Sequence, residues 1–301
     1  MTDLITVTLA QLLEPRLNDA ALSFWQKSQR EITAGAERAR FSALISMASR
    51  HGKRAPLELT EAELAACQKA KPGWNPKPWN LLELLRVGLI YARNDLSKAS
   101  FTDDFESLFV YADEGETCAL YRALILLPDA ERFVWRAGEG CRSNMVSVFG
   151  AIALDNPFPV KHFDDTAWNQ LVVKALFLEQ PLHRVVGLDQ RRNPELTRIA
   201  LDLADERASA GRAIGHDLWL CLESSHAQRS LALAEQLWPA ADPLSRTAIV
   251  LGLARAEQHA AVQRLAETES DIKVAHAIDA ALGGQFDQNQ FALLVTNKSE
   301  S

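Results

Sequence analysis

The chain has 301 residues, of which 48% are hydrophobic and 24% are charged, and its formal net charge is −7. This length and composition are typical of a globular protein with a sizeable core, in one large domain or two closely packed ones. The negative charge argues against a general nucleic-acid binder, because phosphate binding needs concentrated lysine and arginine.

The first residues, MTDLITVTLAQLLEPRL, lack the basic segment and the continuous apolar run of a signal peptide. No stretch approaches the roughly 20 apolar residues that span a bilayer. The four cysteines, at positions 67, 118, 141 and 221, are widely spaced, which is typical of reduced thiols rather than of a disulfide framework. We therefore expect a cytoplasmic protein without a transmembrane segment.

Helical periodicity dominates the chain, and no series of alternating strands is evident, so the sequence predicts an all-α fold. The early helices are predicted at 19–33, 36–49 and 60–70. Thr60 precedes the third of these, and Glu63 three places later completes a capping-box signature.

The segment KPGWNPKPWN then interrupts the helical pattern, because its prolines and glycine do not support a regular helix. Trp74 and Trp79 add apolar area within it. We predict that these two side chains pin the loop to a helix surface. A loop that forms the lip of a binding site is the alternative.

Helices are predicted through the middle of the chain at 79–93, 103–112, 116–126, 129–137, 142–155, 164–179 and 194–210. Asn193 and Pro194 start the last of these, because Asn is a good N-cap and Pro tolerates the first helical position. Gly211 is expected to end it.

From about residue 227 the chain consists of short units rich in alanine and leucine: AQRSLALAEQLWP, PLSRTAIVLGLARAEQ, HAAVQRLAETE and SDIKVAHAIDAALGG. Such units favour a HEAT-like helical repeat array, resembling an α-solenoid, with irregular central helices. We predict N-terminal helices over 1–75, a central region over 76–222 and HEAT-like helices over 223–301, in one continuous domain. The tail after Phe291 is expected to fray.

Polar residues are concentrated between 139 and 195, which predicts a pocket or groove around 141–193. Arginine clusters favour planar anions such as carboxylate or phosphate, and Gln170 and Lys174 lie four residues apart on one predicted helix. The candidate ligand-binding residues are Arg142, Asn144, Asn169, Gln170, Lys174, His183, Arg184, Asp189 and Arg191. Structural bracing by helix caps and salt bridges is the alternative, since it uses the same residue types.

Arg142 lies on a partly apolar side of the predicted 142–155 helix. If its guanidinium is buried it needs an acidic partner, because an unpaired buried charge costs several kcal/mol. The candidate partners are Glu139, Asp155, Asp164, Asp165 and Asp189.

Two further groups of residues are candidate chemical sites. The first consists of His162, Asp164 and Asp165, whose side chains are of the types that bind metal ions. No second cluster supports a metal site, and an aspartate at this position is more simply a helix N-cap. Cys141 at a predicted helix start is a weak candidate nucleophile, because no partner base is apparent. We predict neither a metal nor a cofactor.

The segment EGCRSNMVSVFGAIALDNPFP, with AWNQLVVKALFLEQPLHRVVGLDQRRNPEL and LDLADERASAGR, resembles the EboA family. These proteins are encoded beside prenyltransferase-like and sugar-phosphate-cyclase-like enzymes in bacterial natural-product clusters. The resemblance is strongest over 139–219 and extends more weakly over 103–138. It implies a cytoplasmic helical protein that assists the synthesis or export of a specialised metabolite.

The preferred functional prediction is a noncatalytic accessory protein that binds a small metabolite intermediate or a partner enzyme of the pathway. An enzyme acting on an anionic or polyhydroxylated metabolite is the first alternative, with Arg142 and Arg184 holding the substrate and His183 or His162 transferring a proton. A purely structural scaffold is the second alternative.

Overall fold

The computed structural model describes residues 3–296, and within that range the protein is helical and contains no β-strand. One isolated bridge joins Pro56 to Asn80. The all-α class is therefore confirmed for the described residues, whereas the HEAT-like repeat arrangement stays a prediction. Contacts separate the chain into two compact units, divided between Phe163 and Asp164. The domain boundaries predicted after residues 75 and 222 stay predictions.

The helices of the first unit are α1 Leu4–Leu13, α2 Asp19–Thr33, α3 Arg38–Met47, α4 Glu61–Ala70, α5 Leu81–Tyr91, α6 Ala99–Leu108, α7 Glu114–Ala123, α8 Val134–Arg142, α9 Val146–Ala153 and α10 Phe158–His162. The predicted helices over 19–33 and 60–70 agree with α2 and α4 to within one residue. Helix α1 is absent from the predicted elements, although Asp3 caps its N-terminus by accepting the amide of Ile5.

Helix α5 is the centre of the first unit, because every residue from Leu81 to Ile90 is buried. It contacts α1, α2, α3 and α7. A helix that is apolar on all sides is typical of such a central position. Its two charged residues are paired, since Arg122 binds Glu83 and Arg86 binds Glu116.

The capping box predicted at Thr60 and Glu63 is confirmed, with each residue binding the backbone amide of the other. The loop that follows α4 is pinned as predicted, because Trp74 and Trp79 are buried. Gln68 holds the same loop by donating to the carbonyl of Trp74 at 3.0 Å and accepting the amide of Gly73 at 3.0 Å.

The helix predicted over 142–155 is observed as α9, but its predicted start is wrong, because the chain leaves the helical conformation of α8 at Ser143 and re-enters a helix at Val146. The Ser143 hydroxyl accepts the amide of Met145 at 3.1 Å. Such local side-chain bonds compete with the helical hydrogen bonds, so the apolar periodicity continues while the helix does not. Cys141 consequently lies in the last turn of α8, and the argument for a thiol activated at a helix start does not apply.

The helices of the second unit are α11 Asp165–Phe177, α12 Leu188–Arg191, α13 Pro194–Ser209, α14 Ala227–Leu237, α15 Pro243–Arg255, α16 His259–Ala266, α17 Ile272–Leu282 and α18 Gln288–Phe291. The start predicted for α13 is confirmed, because Asn193 accepts the amide of Leu196 at 2.9 Å. Its predicted end is confirmed by Gly211, which follows with a φ of +65°.

Helix α15 is the centre of the second unit, with every residue from Thr247 to Arg255 buried. It contacts α14, α16, α17 and the 3-10 helix His216–Cys221. Gly252 allows α15 to pack closely against Trp219 of this 3-10 helix, because a Cβ atom at Gly252 would lie 2.5 Å from the Trp219 ring. The four repeat-like units predicted after residue 227 form α14 to α17. Helix α15 is the central one, because it contacts the other three.

The last described segment, Ala292–Thr296, is a π-helical turn, and the fraying expected after Phe291 stays a prediction. The rest of the predicted tail lies outside the described residues. Across residues 3–296, every helix is too short or too polar to cross a membrane.

Candidate functional site

The predicted polar region is divided between the two units. Arg142 and Asn144 belong to the first unit, and the other candidate ligand-binding residues belong to the second. Arg142 pairs with Glu139, one of its predicted partners, and its side chain is 67% exposed. Asn144 is also exposed, in the short link between α8 and α9. Arg142 is therefore exposed, so the condition under which it would need an acidic partner to compensate a buried charge is not met.

Asn169 is buried on α11 and exchanges two side-chain hydrogen bonds with Asn193, at 3.1 and 2.9 Å. Because Asn193 also caps α13, this pair joins two helices of the second unit. Gln170, the next residue along α11, is exposed, and Lys174 one turn later is half-buried.

Arg191 at the end of α12 stacks its guanidinium 4.9 Å from the Trp168 ring and binds Asp165 at 2.6 Å. The neighbouring Asp164 caps α11 by accepting the amide of Ala167 at 2.8 Å, as predicted for an aspartate here. The described residues contain no group of three His, Cys, Asp or Glu side chains suited to a metal ion.

Asp189 is tied to the far end of the second unit. It binds Arg255 of α15 and accepts the amide of Gln288 at 2.9 Å. The Gln288 side chain in turn donates to the carbonyls of His183 at 2.8 Å and Val185 at 3.1 Å. These contacts hold the 183–189 segment against residues about a hundred positions later in the chain.

A cavity of about 350 Å³ lies within the second unit. Its lining residues come from the end of α11 and the loop after it, from α13 and the loop after it, from the 3-10 helix His216–Cys221 and from the start of α15: Leu176, Glu179, Gln180, Leu203, Arg207, Ala213, Ile214, Gly215, His216, Asp217, Leu218 and Ser245. This volume suits a small molecule, and the mixture of apolar wall and a few polar groups is typical of a ligand pocket.

His216 and Asp217 form the titratable part of the cavity wall. The His216 Nε2 atom lies 3.1 Å from the Ser245 hydroxyl. Asp217 accepts the amide of Leu182 at 2.8 Å. Burial raises the pKa of Asp217, although the Leu182 amide and the imidazoles of His183 and His216 act in the opposite direction. A carboxyl in such a place can accept or, when protonated, donate a hydrogen bond to a ligand hydroxyl.

Arg207 supplies the cationic part of the wall. Its guanidinium donates to the carbonyl of Ala213 at 2.8 Å and to Glu179 at 3.1 Å. Glu179 has a φ of +53°, a left-handed conformation that side-chain-bearing residues adopt at a cost of about 1–2 kcal/mol. This conformation closes the C-terminus of α11, because the amide of Gln180 binds the carbonyl of Ala175 at 2.8 Å and the amide of Glu179 binds the carbonyl of Leu176 at 3.1 Å.

The cavity residues Glu179, Arg207, His216, Asp217 and Ser245 are absent from the nine residues predicted from the sequence. His183 is the predicted residue that acts on this wall, through its electrostatic effect on Asp217. The sequence holds one local signal, the polar pair His216 and Asp217 directly before the apolar run LWLCL.

Comparison with known proteins gives a family but no individual relative. Residues 5–223 match the model of a family described as "Metabolite traffic protein EboA". No curated protein and no solved structure matches the chain. The match extends the resemblance through the first 75 residues, ends before α14, and includes every cavity residue except Ser245. Because the matched range covers more than half of the 301 residues, the chain belongs to the EboA family.

Proposed function

We propose that this protein binds a small polyhydroxylated metabolite in the cavity of the second unit and holds it without converting it. The convergence of Arg207, His216 and Asp217 on an apolar wall carries the proposal, since alternating donors and acceptors suit hydroxyl groups. The description of the family as a metabolite traffic protein supports an accessory role in specialised-metabolite biosynthesis or export.

We further propose that the protein acts in the cytoplasm and passes the metabolite to an enzyme of the same pathway. None of the four cysteines, all of them among the described residues, forms a disulfide, and three of them are buried, which suits a reducing compartment. The absence of a role for nucleic acid stays a prediction that follows from the negative charge.

An enzyme is the second candidate, and the contact between His216 and Ser245 favours it. An imidazole beside a hydroxyl is the arrangement that activates nucleophiles in many enzymes. The Ser245 amide, however, is bound by Asp242 at the start of α15, which gives this serine a structural task as well. Conversion of the bound molecule distinguishes the two functions.

The test is native mass spectrometry of the protein purified from its own host. We expect a retained small molecule of constant mass on the wild-type chain. The variants Ser245→Ala and Arg207→Met are expected to lose it. Arg198→Met is the matched control, because Arg198 lies on the same helix α13 but binds Glu195 and Asp202 on the exposed surface.

A wild-type protein without a retained molecule, or one whose molecule survives both cavity substitutions, contradicts the proposal. A molecule that changes mass during incubation indicates an enzyme. The ligand-binding residues predicted from the sequence stay a prediction, and Arg184→Ala tests them by the same measurement. Loss of the molecule at an unchanged melting temperature supports a binding role for Arg184. Loss of the molecule together with a lowered melting temperature supports structural bracing.

A further inference from the structure

A second cavity, of about 280 Å³, lies within the first unit and is lined by charges of both signs. Its floor is apolar and its rim is polar, with the lining residues Lys71, Leu124, Ile125, Leu127, Asp129, Ala130, Glu131, Pro157, Phe158, Lys161 and His162. The proposed function makes no use of this cavity, because its residues belong to the other unit.

The cationic part of the rim comes from the loop after α4 and from α10. The Lys161 ammonium donates to the carbonyl of Pro72 at 3.2 Å, which fastens the loop to α10. Gly73 packs directly against Pro157, since a Cβ atom there would lie 2.9 Å from the Pro157 ring. Lys71 is therefore held beside Lys161 by a loop that has little freedom to move.

The acidic part of the rim comes from a short turn that precedes the 3-10 helix Ala130–Phe133. Asp129 has a φ of +47°, and Glu131 follows it in the first turn. Arg132 fixes the turn by donating to the carbonyl of Pro128 at 3.2 Å. The carboxylates of Asp129 and Glu131 are thus carried to the cavity by one turn of the chain.

Both signs of charge act on one imidazole. The His162 ring lies 4.7 Å from the Phe158 ring, so it forms part of the cavity wall. Burial lowers the pKa of His162, Glu131 opposes this effect, and Lys161 and Lys71 add to it. Burial thus favours the neutral form of this ring, and the charges that line the cavity are those of two lysines and two carboxylates.

We propose that this cavity binds a small zwitterion with an apolar body, of the class of the apolar amino acids. The ligand carboxylate would bind Lys71 and Lys161, its ammonium would bind Glu131 and Asp129, and its apolar part would cover the floor. A ligand with a single charge would pair with either the lysines or the carboxylates and would leave the other group partly desolvated without a partner. The cavity would therefore select a zwitterion over a singly charged ligand.

Calorimetric titration of the full chain with matched probes tests this assignment. The probes are L-leucine and L-phenylalanine as zwitterions, N-acetyl-L-leucine as an anion and L-leucine methyl ester as a cation. We expect one zwitterion to bind about tenfold more tightly than either singly charged probe, the loss that a missing hydrogen bond to a charged group carries. Equal affinities for all probes, or no binding of either amino acid, overturn the proposal.

Substitutions at the rim test the contribution of each ligand charge to binding separately. We expect Glu131→Gln to weaken leucine binding about tenfold without weakening N-acetyl-leucine, and Lys71→Met to weaken leucine without weakening the methyl ester. Lys77→Met is the control, because Lys77 lies exposed on the same loop outside the cavity. Melting temperatures show whether each variant is folded, and the same loss in all three variants would also overturn the proposal. The Arg207 and Ser245 variants of the other unit leave this titration unchanged.

Discussion

Two aspartates of the second unit differ in what neutralises them. Asp189 binds the guanidinium of Arg255, so its charge is compensated directly. Among the described residues, Asp217 has no guanidinium partner and instead accepts one backbone amide near two imidazoles. The difference decides which carboxyl is available to a ligand, because Asp189 holds the fold together while Asp217 faces the cavity.

We expect Asp217→Asn to change the free energy of unfolding in a pH-dependent way. Burial raises the pKa of Asp217 in the folded state, so the protonated carboxyl favours folding at low pH and this contribution is lost as the pH rises through the folded pKa. Denaturant unfolding between about pH 3 and 7 should show the wild type losing stability relative to the variant as the pH rises.

Asp242→Asn is the control of opposite sign. The amide and hydroxyl of Ser245 lower the pKa of Asp242, so the wild type should gain stability relative to this variant as the pH rises through the unfolded value. If the stability of the wild type relative to each variant changed in the same direction with pH, the environment described for Asp217 would be contradicted.

At the scale of elements, each unit is built around one helix that is buried on all sides, α5 or α15. Each of these helices carries a glycine that faces a tryptophan ring, Gly88 facing Trp25 and Gly252 facing Trp219. Glycine lowers helix propensity, so its presence here reflects close packing rather than local preference. In helices α4 and α13, by contrast, the capping residues read from the sequence predict the helix ends that are observed.

We expect Gly252→Ala to lower the free energy of unfolding by about 1–3 kcal/mol, the usual effect of overpacking a core. The added methyl group would lie 2.5 Å from the ring of Trp219, which is itself buried. This clash exceeds the gain of up to about 1 kcal/mol that alanine brings to a helix. Chemical denaturation measures the difference.

Gly150→Ala on α9 provides the comparison, because its Cβ atom would make an ordinary contact at 3.8 Å with Leu154. Its stability should be unchanged or raised by up to about 1 kcal/mol. Equal effects of the two substitutions would show that the contact with Trp219 does not determine the outcome.

At the scale of the whole molecule, two cores predict two unfolding transitions. Each core contains a buried arginine that links an acidic side chain to backbone carbonyls: Arg86 binds Glu116 and the carbonyl of Ile45 in the first unit, while Arg255 binds Asp189 and two carbonyls in the second. Compact units tend to unfold separately, so we expect two transitions rather than a single two-state one.

We expect Arg255→Met to lower the stability of the second unit by about 3–5 kcal/mol, because it leaves a partly buried carboxylate without its partner. Scanning calorimetry should show one transition shifted and the other unchanged. Arg86→Met should shift the other transition. A single transition that both substitutions lower would contradict separate unfolding of the two units.

Much of the local structure was predictable from neighbouring residues. The capping box at Thr60, the N-cap at Asn193 and the helix end at Gly211 involve partners at most four positions away, and all three are observed. The start predicted for the 142–155 helix was wrong because another short-range contact, the bond between the Ser143 hydroxyl and the amide of Met145, outweighed the apolar periodicity.

The amino-acid sequence by itself determined the all-α class, most helix ends and the family, since these depend on spacing within a few turns or on extended matching segments. Only the tertiary structure decided which polar residues surround a cavity. Leu182 and Asp217 are 35 positions apart, and His216 and Ser245 are 29 apart. Such pairs meet because buried helices such as α15 bring distant segments together, and no local pattern encodes that distance.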